Sequence, residues 1–228
     1  MTRPYQLLVF DWDGTLADSA ALIVAGMQRA IVELKLPVRS DAQIRELIGL
    51  GFYDAMGRLY PEFGPEDIVK ALEDYRRLLV GGGHTEHGPA EAPLFDGALD
   101  MLRELHGAGY RLAVATGKSR ASLERSFVKH PELRGLFCAS RCADETASKP
   151  DPLMLRELLE HEDLPAEAAL MVGDTEFDVQ MARAARMHSV GVACGVHETE
   201  RLREAGALAI LDGVGHLGAW LHGQGVAP

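Results

Sequence analysis

The chain has little cysteine. Cys138, Cys142 and Cys194 are three in number, with no C-x-x-C pair among 228 residues. That argues against a disulfide framework, and no histidine stands at zinc-ligand spacing from Cys138 or Cys142, so reduced thiols in a cytoplasmic protein are expected. Long apolar runs are missing too. The leading stretch MTRPYQLLVFDWD turns acidic after a short run, which is not the pattern of a signal peptide or a spanning helix. Positive charge is scarce: Lys plus Arg is 23 against 34 Asp plus Glu, a net charge of −11. A surface of that sign repels phosphate backbones and anionic lipid, so neither nucleic acid nor membrane is expected as a partner. A small anionic substrate is still compatible, because a bound cation sets the field inside a pocket. There is no internal repeat, and no low-complexity tract beyond Gly81-Gly82-Gly83. Hydrophobic residues at 47% and charged residues at 25% describe a globular chain, long enough for one large domain or two modest ones.

Short continuous apolar runs stand out instead: YQLLVF at 5–10, RLAVAT at 111–116, ALMVG at 169–173, HSVGVA at 188–193 and ALAIL at 207–211. Such runs suit strands buried on both faces, as in a parallel sheet. Helical spacing predicts helices between most of them, over 96–106, 120–129, 152–160 and 176–186, with Pro152 in a first turn. The alternation implies an α/β fold with a mostly parallel, Rossmann-like sheet. Residues 18–89 break the rhythm. They carry helical patterns over 20–36, ended by Pro37, and over 65–79, with Ser40 or Asp41 as a cap between them, and no convincing strand. This reads as a smaller all-helical domain inserted in a core formed by 1–17 and 90–228, with 84–93 as linker.

Four segments carry chemistry. Phe10-Asp11-Trp12-Asp13-Gly14-Thr15-Leu16 follows the first strand, at the edge where open parallel sheets bind ligands. Thr116-Gly117-Lys118-Ser119 ends a strand before a helix, where a hydroxyl and free N–H groups suit an oxyanion. Lys149 stands in Ser148-Lys149-Pro150-Asp151-Pro152, a stiff turn before a helix. Asp174 ends the strand of Gly173-Asp174-Thr175-Glu176-Phe177-Asp178, and Asp178, four residues on, shares its side of the first helical turn. Singly, each has an ordinary reading as a turn, a cap or a solvated charge. Together they converge on one rim of a parallel sheet.

This ordered set, D-x-D-G-T-L-x-D-S, strand-end Thr-Gly, Lys-Pro and G-D-T-x-x-D, resembles the haloacid dehalogenase superfamily of phosphohydrolases, in the branch with a helical cap between the first two motifs. FDWDGTLADS and SKPDP are most similar to its phosphoglycolate phosphatase-like members. The resemblance implies a monomeric or small homo-oligomeric enzyme that hydrolyses a small phosphorylated metabolite, 2-phosphoglycolate being the candidate. It implies Asp11 as nucleophile and Asp13 as general acid and base. Thr116, Gly117 and Lys149 would bind phosphate. Mg²⁺ would sit on Asp11, the Asp13 carbonyl and Asp174, with Asp178 orienting its waters or Lys149. Charge supports a cation independently: four aspartates and one lysine leave an excess of negative charge, and two like charges 4 Å apart cost about 4 kcal/mol at an effective dielectric of 20. An all-oxygen set selects a hard ion such as Mg²⁺.

A sugar-phosphate mutase shares all four motifs and is the main alternative; an inactive binding module would lack one of the reacting residues. Asp13 and the acidic fourth motif count against a dehalogenase. Lys35 and Lys70, away from the Gly49-Leu50-Gly51-Phe52 turn, count against a phosphonate-cleaving relative. Arg45 and Arg58 are candidates to meet a substrate carboxylate, whereas His84 and His87 read as solvated linker residues.

Overall fold

The protein is described from a computed structural model, which covers residues 4–81 and 91–224. Six strands, β1 (Leu7–Phe10), β2 (Arg111–Thr116), β3 (Phe137–Cys142), β4 (Ala169–Gly173), β5 (His188–Val192) and β6 (Ile210–Leu211), form one sheet in the order β3-β2-β1-β4-β5-β6. Every adjacent pair is parallel. Side chains alternate across such a sheet, and each face is covered. Leu8, Phe10, Val114 and Val172 pack against α5 (Ala98–Gly107), α6 (Arg120–Lys129) and α10 (Leu217–Gln224). Leu7, Val9, Ala115 and Met171 pack against α7 (Leu153–Glu162) and α8 (Glu176–Ala184). Burial on both sides is why β1 and β4 read as unbroken apolar runs.

Boundaries differ from expectation where left-handed residues intervene. The first helix, α1 (Ala20–Glu33), stops before Pro37. Lys35, at φ 54, turns the chain so that the Leu36 N–H reaches the Ile31 carbonyl. Likewise Arg186, at φ 61, closes α8 early, and Gly97, at φ 76, delays α5 to Ala98. Pro152 immediately precedes α7 rather than lying in its first turn. Strand β3 was not expected: FCASRC is only partly buried and carries Arg141 and Ser140, the composition of a strand at the sheet's edge.

Between β1 and β2 lie α1, α2 (Asp41–Arg45), α3 (Phe52–Leu59) and α4 (Pro65–Gly81). Ser40 caps α2 in a reciprocal box with Gln43. This helical insert has its own apolar cluster, which includes Val24, Ile31, Ile44, Met56, Leu59 and Ile68. The chain leaves and re-enters the sheet side by side: Asp18 N–H donates to Pro93 O at 2.9 Å, and Phe95 N–H to Leu16 O at 2.9 Å. Of the expected linker 84–93, residues 84–90, His84 and His87 included, lie outside the described residues. Among the described residues no helix is long and apolar enough to cross a membrane.

The packing makes a prediction. Leu102 is fully buried between α5 and the sheet, whereas Val128 is 75% exposed. Leu102→Ala should lower unfolding stability by about 2–5 kcal/mol. Val128→Ala should stay within about 0.5 kcal/mol of the parent. Denaturant melts measure both, and equal losses would contradict this placement of the core.

Candidate active site

Register aligns the carboxyl ends of the central strands. Phe10 pairs with Val114 on one side and Val172 on the other, so Asp11 emerges from the sheet close to Asp174. The Asp11 N–H still donates to Val172 O at 3.0 Å, which fixes its backbone to β4. The chain then coils tightly: Leu16 and Ala17 N–H both donate to Trp12 O at 3.0 Å, and Gly14 N–H to Ala17 O at 2.9 Å. Gly14 is at φ +87, and a Cβ there would stand 2.2 Å from Asp174 Oδ2, so only glycine lets the two loops touch. Trp12 faces away from the acids, edge-on to Phe127 with ring centroids 5.4 Å apart.

Lys149 is the centre of the cluster. Its Nζ lies 2.7 Å from Asp11 Oδ1 and 2.7 Å from Asp178 Oδ1, and all three side chains are buried. Asp11 Oδ1 and Asp178 Oδ1 thus share one ammonium group, and Asp11 Oδ2 is left without a donor. Asp174 is held from two sides, by Thr15 Oγ1 at 2.9 Å and by the Val196 N–H at 2.9 Å. Asp178 Oδ2 accepts from the Thr175 N–H at 3.1 Å and from Thr175 Oγ1 at 2.7 Å, closing a capping box at the start of α8. Asp13 accepts a hydrogen bond from Lys118 Nζ at 3.1 Å. The Thr116 hydroxyl accepts the Lys118 N–H at 3.2 Å, which leaves its own proton free to donate.

Burial dominates the electrostatics. It pushes the Asp11 pKa well above the carboxylate range, against the pull of Lys149 and with the repulsion of Asp178 and Asp174 added. Burial also lifts Asp174 to about 7, helped by the Asp178 carboxylate beside it. At Lys149, burial opposes the charge, but Asp11 and Asp178 more than offset that and raise its pKa. Three carboxylates, Asp11, Asp174 and Asp178, bring oxygens within 4.8 Å of one another around that single lysine. An excess of buried negative charge, with Asp11 Oδ2 lacking a donor, fits a hard divalent cation of the Mg²⁺ kind.

The helical insert sits directly on this rim. A Cβ on Gly117 would fall 2.5 Å from Gly49 O, so the backbones of core and insert meet where a larger residue could not fit. The Gly51 N–H donates to Ser148 Oγ at 2.8 Å. On the other flank Arg201 pairs with Glu46 at 2.6 Å and with Glu176 at 2.7 Å, beside the buried His197. Between core and insert lies a cavity of about 350 Å³ bordered by Asp11, Asp13, Gly117 and Lys118 below and by Ile23, Met27, Ile44 and Leu47 above. Thr116, Lys149, Asp174 and Asp178 are buried behind this lining. The structure therefore brings Asp11, Asp13, Thr116, Gly117, Lys149, Asp174 and Asp178 to one place. It does not bring Arg45 or Arg58 there: Arg45 is exposed on α2, and the Arg58 guanidinium lies over the Phe177 ring at 5.2 Å. A helix turns a given side chain only one way, and both arginines point off the cavity. Reasoning from sequence overlooked Thr15, Lys118 and Val196. Thr15 and Lys118 lie inside the first two segments, and their neighbours were the available signal; Val196 acts through its backbone and gave none.

A parallel α/β sheet with an inserted helical unit thus gathers buried acids and Lys149 at its carboxyl edge. The family model of haloacid dehalogenase-like hydrolases matches residues 8–192. The chain belongs to that family. A protein named "Probable phosphatase IndB" from Dickeya dadantii is 35% identical over 90% of this chain and 89% of its own. A phosphoglycolate phosphatase from Rhodospirillum rubrum is 32% identical over 94% and 90% of the two chains. The solved structure of "a predicted phosphatase from Clostridium acetobutylicum" superposes with a TM-score of 0.82 at 27% identity, covering 96% of this chain and 99% of that one.

Close packing around Asp174 is testable without an assay. A Cβ on Gly195 would lie 2.1 Å from Asp174 Oδ2, while Gly107, at the end of α5, has nothing within 4 Å. Gly195→Ala should cost about 1–3 kcal/mol of stability through overpacking. Gly107→Ala should be neutral or gain up to about 1 kcal/mol from helix propensity. Thermal melts of both check the ordering, and a harmless Gly195→Ala would displace Asp174 from the position described.

Proposed function

We propose that this chain hydrolyses a small phosphate monoester in two displacements at Asp11, with Mg²⁺ bound by Asp11, Asp174 and the Asp13 carbonyl. The observation that carries the reading is Asp11 itself: a buried carboxylate at the cavity floor, paired with Lys149 and with Asp13 two residues away. An Asp11 oxygen forms a bond to phosphorus as the ester P–O bond breaks, and Asp13 gives its proton to the leaving alkoxide. Asp13 then takes a proton from water, whose oxygen attacks phosphorus and frees Asp11 and inorganic phosphate. Thr116 Oγ, the Gly117 region's N–H groups and Lys149 hold the phosphoryl oxygens as charge shifts. When bound there, Mg²⁺ would supply Lewis-acid chemistry and offset the charge of the carboxylates.

Asp178, through its ion pair at 2.7 Å, positions Lys149 rather than touching substrate. Residues 18–89 serve in this reading as a cap that excludes water from the reacting atoms, which strengthens every charge interaction inside. Phosphoglycolate, the ester named by relatives such as that of Vibrio cholerae at 30% identity, is the reference substrate.

Asp11→Asn should lower the rate by at least about 10³-fold, since an amide forms no acyl phosphate under these conditions. Phosphate release by freshly purified protein, checked for deamidation, measures it; near-parental turnover would refute the nucleophile. EDTA should abolish activity and Mg²⁺ restore it, whereas full activity in metal-free buffer would remove the cation from the account. Asp13→Asn should cost an alkyl phosphate about 10²–10⁴-fold and p-nitrophenyl phosphate less in the first step, because a poor leaving group needs the acid. Burst kinetics separate that step, and equal losses would mean that Asp13 is not the acid.

A further inference from the structure

The cavity over Asp11 is built for a particular kind of alcohol. At about 350 Å³ it lies at the small end of the ~300–1,000 Å³ typical of ligand pockets. Its upper wall is mostly apolar, with Tyr53 and Asp54 as the polar side chains there. Ile23, Met27, Leu47 and Phe52 are only half buried there, beside the buried Ile44 and Ile48, so an apolar guest would gain further burial.

Among the described residues that line the cavity, the cations are Lys118 and Arg125, and both are engaged. Lys118 is held by Asp13 at 3.1 Å. Arg125 faces Glu91 at 3.5 Å and also donates to Ser122 Oγ at 3.1 Å. Asp54 and Asp144 add negative charge to the same lining. A second carboxylate on the substrate would meet Asp54 and Asp144, and would have to draw Lys118 from Asp13 or Arg125 from Glu91. Tyr53, Ser119 and Ser122 also line the cavity, but a polyhydroxylated sugar would still turn some hydroxyls against the apolar side chains, which costs free energy for each one left unpaired.

We infer that the substrate is a phosphate monoester of a neutral alcohol with an apolar body, its carbon skeleton lying against Ile23, Met27 and Leu47. This rests on the phosphatase reading above and specifies its leaving group. Phosphoglycolate, with its carboxylate, and sugar phosphates are on this basis the poorer substrates.

The test is a set of kcat/KM values for the full chain with Mg²⁺ on ethyl, propyl and butyl phosphate, 2-phosphoglycolate and glucose 6-phosphate. The three alkyl alcohols differ little in acidity, so their comparison reads binding of the chain rather than chemistry. Each methylene should raise kcat/KM about fourfold, the transfer value of a buried CH₂. Butyl phosphate should exceed both 2-phosphoglycolate and glucose 6-phosphate. In Met27→Gln and in Leu47→Asn, the butyl-to-ethyl ratio should fall toward one, a ratio that partial unfolding of the sample does not change. A flat alkyl series, or a preference for 2-phosphoglycolate or the sugar phosphate, would overturn the substrate class and leave the phosphatase reading intact. An unchanged ratio in both variants would also overturn it by removing the apolar wall from recognition. No phosphate release from any ester would overturn the phosphatase reading and this inference with it.

Discussion

One buried cation makes the rest of the site affordable. Lys149 sits between Asp11 and Asp178 at 2.7 Å from each, with its side chain closed to solvent. Without it, Asp11, Asp174 and Asp178 would place three carboxylates in a dry pocket with only hydrogen bonds to offset them. The lysine also ties the end of β1 to the first turn of α8 through a side chain that follows β3. Three separate parts of the chain are thereby fixed by one ammonium group. What remains is an excess of negative charge on the side facing the cavity, and burial raises the pKa values of Asp11 and Asp174 accordingly. A divalent cation answers that excess in the same way that Lys149 answers part of it.

The sheet supplies the geometry that the charges need. Parallel register brings the carboxyl ends of β1, β2 and β4 to one rim, and the sheet order places β1 between the other two. Glycine then brings the loops into contact. Gly14 and Gly195 leave room for Asp174, and Gly117 leaves room for the insert's backbone. The active-site loops are thus packed as tightly as a core. The helical insert closes on the same rim through Gly51–Ser148 and the Arg201 pairs, and its apolar side chains form the far wall of the cavity. Charged groups come from the sheet edge, whereas the apolar side chains of the cavity come from the insert.

Much of this was legible in the chain. LLVF, LAVA and ALMV are unbroken apolar runs because both faces of those strands are covered, and that pattern needs no knowledge of partners. The four chemical segments were legible for a related reason: in a parallel sheet, residues that follow strands meet at one edge, whatever their distance in sequence. β3 was not legible, since an edge strand is half wet and FCASRC lacks an apolar run. The grip of Lys118 on Asp13 and of Thr15 on Asp174 depends on which loop faces which, information that lies in the register between strands. Arg45 and Arg58 failed as candidates because position in a helix-rich insert says nothing of the direction a side chain takes. Arg58 found an aromatic face on Phe177 instead.

A phosphoryl group at this site either passes through Asp11 or is attacked by water directly. The two routes differ at phosphorus itself. Each in-line displacement inverts the centre, so two displacements retain its configuration and one inverts it. Hydrolysis of a phosphorothioate monoester made chiral with two oxygen isotopes, in water carrying the third, followed by stereochemical analysis of the inorganic thiophosphate, reads the outcome directly. Retention is the result predicted for a carboxylate placed as Asp11 is. Inversion would contradict it, and would leave the buried Asp11–Lys149 pair as scaffold rather than as the reacting centre.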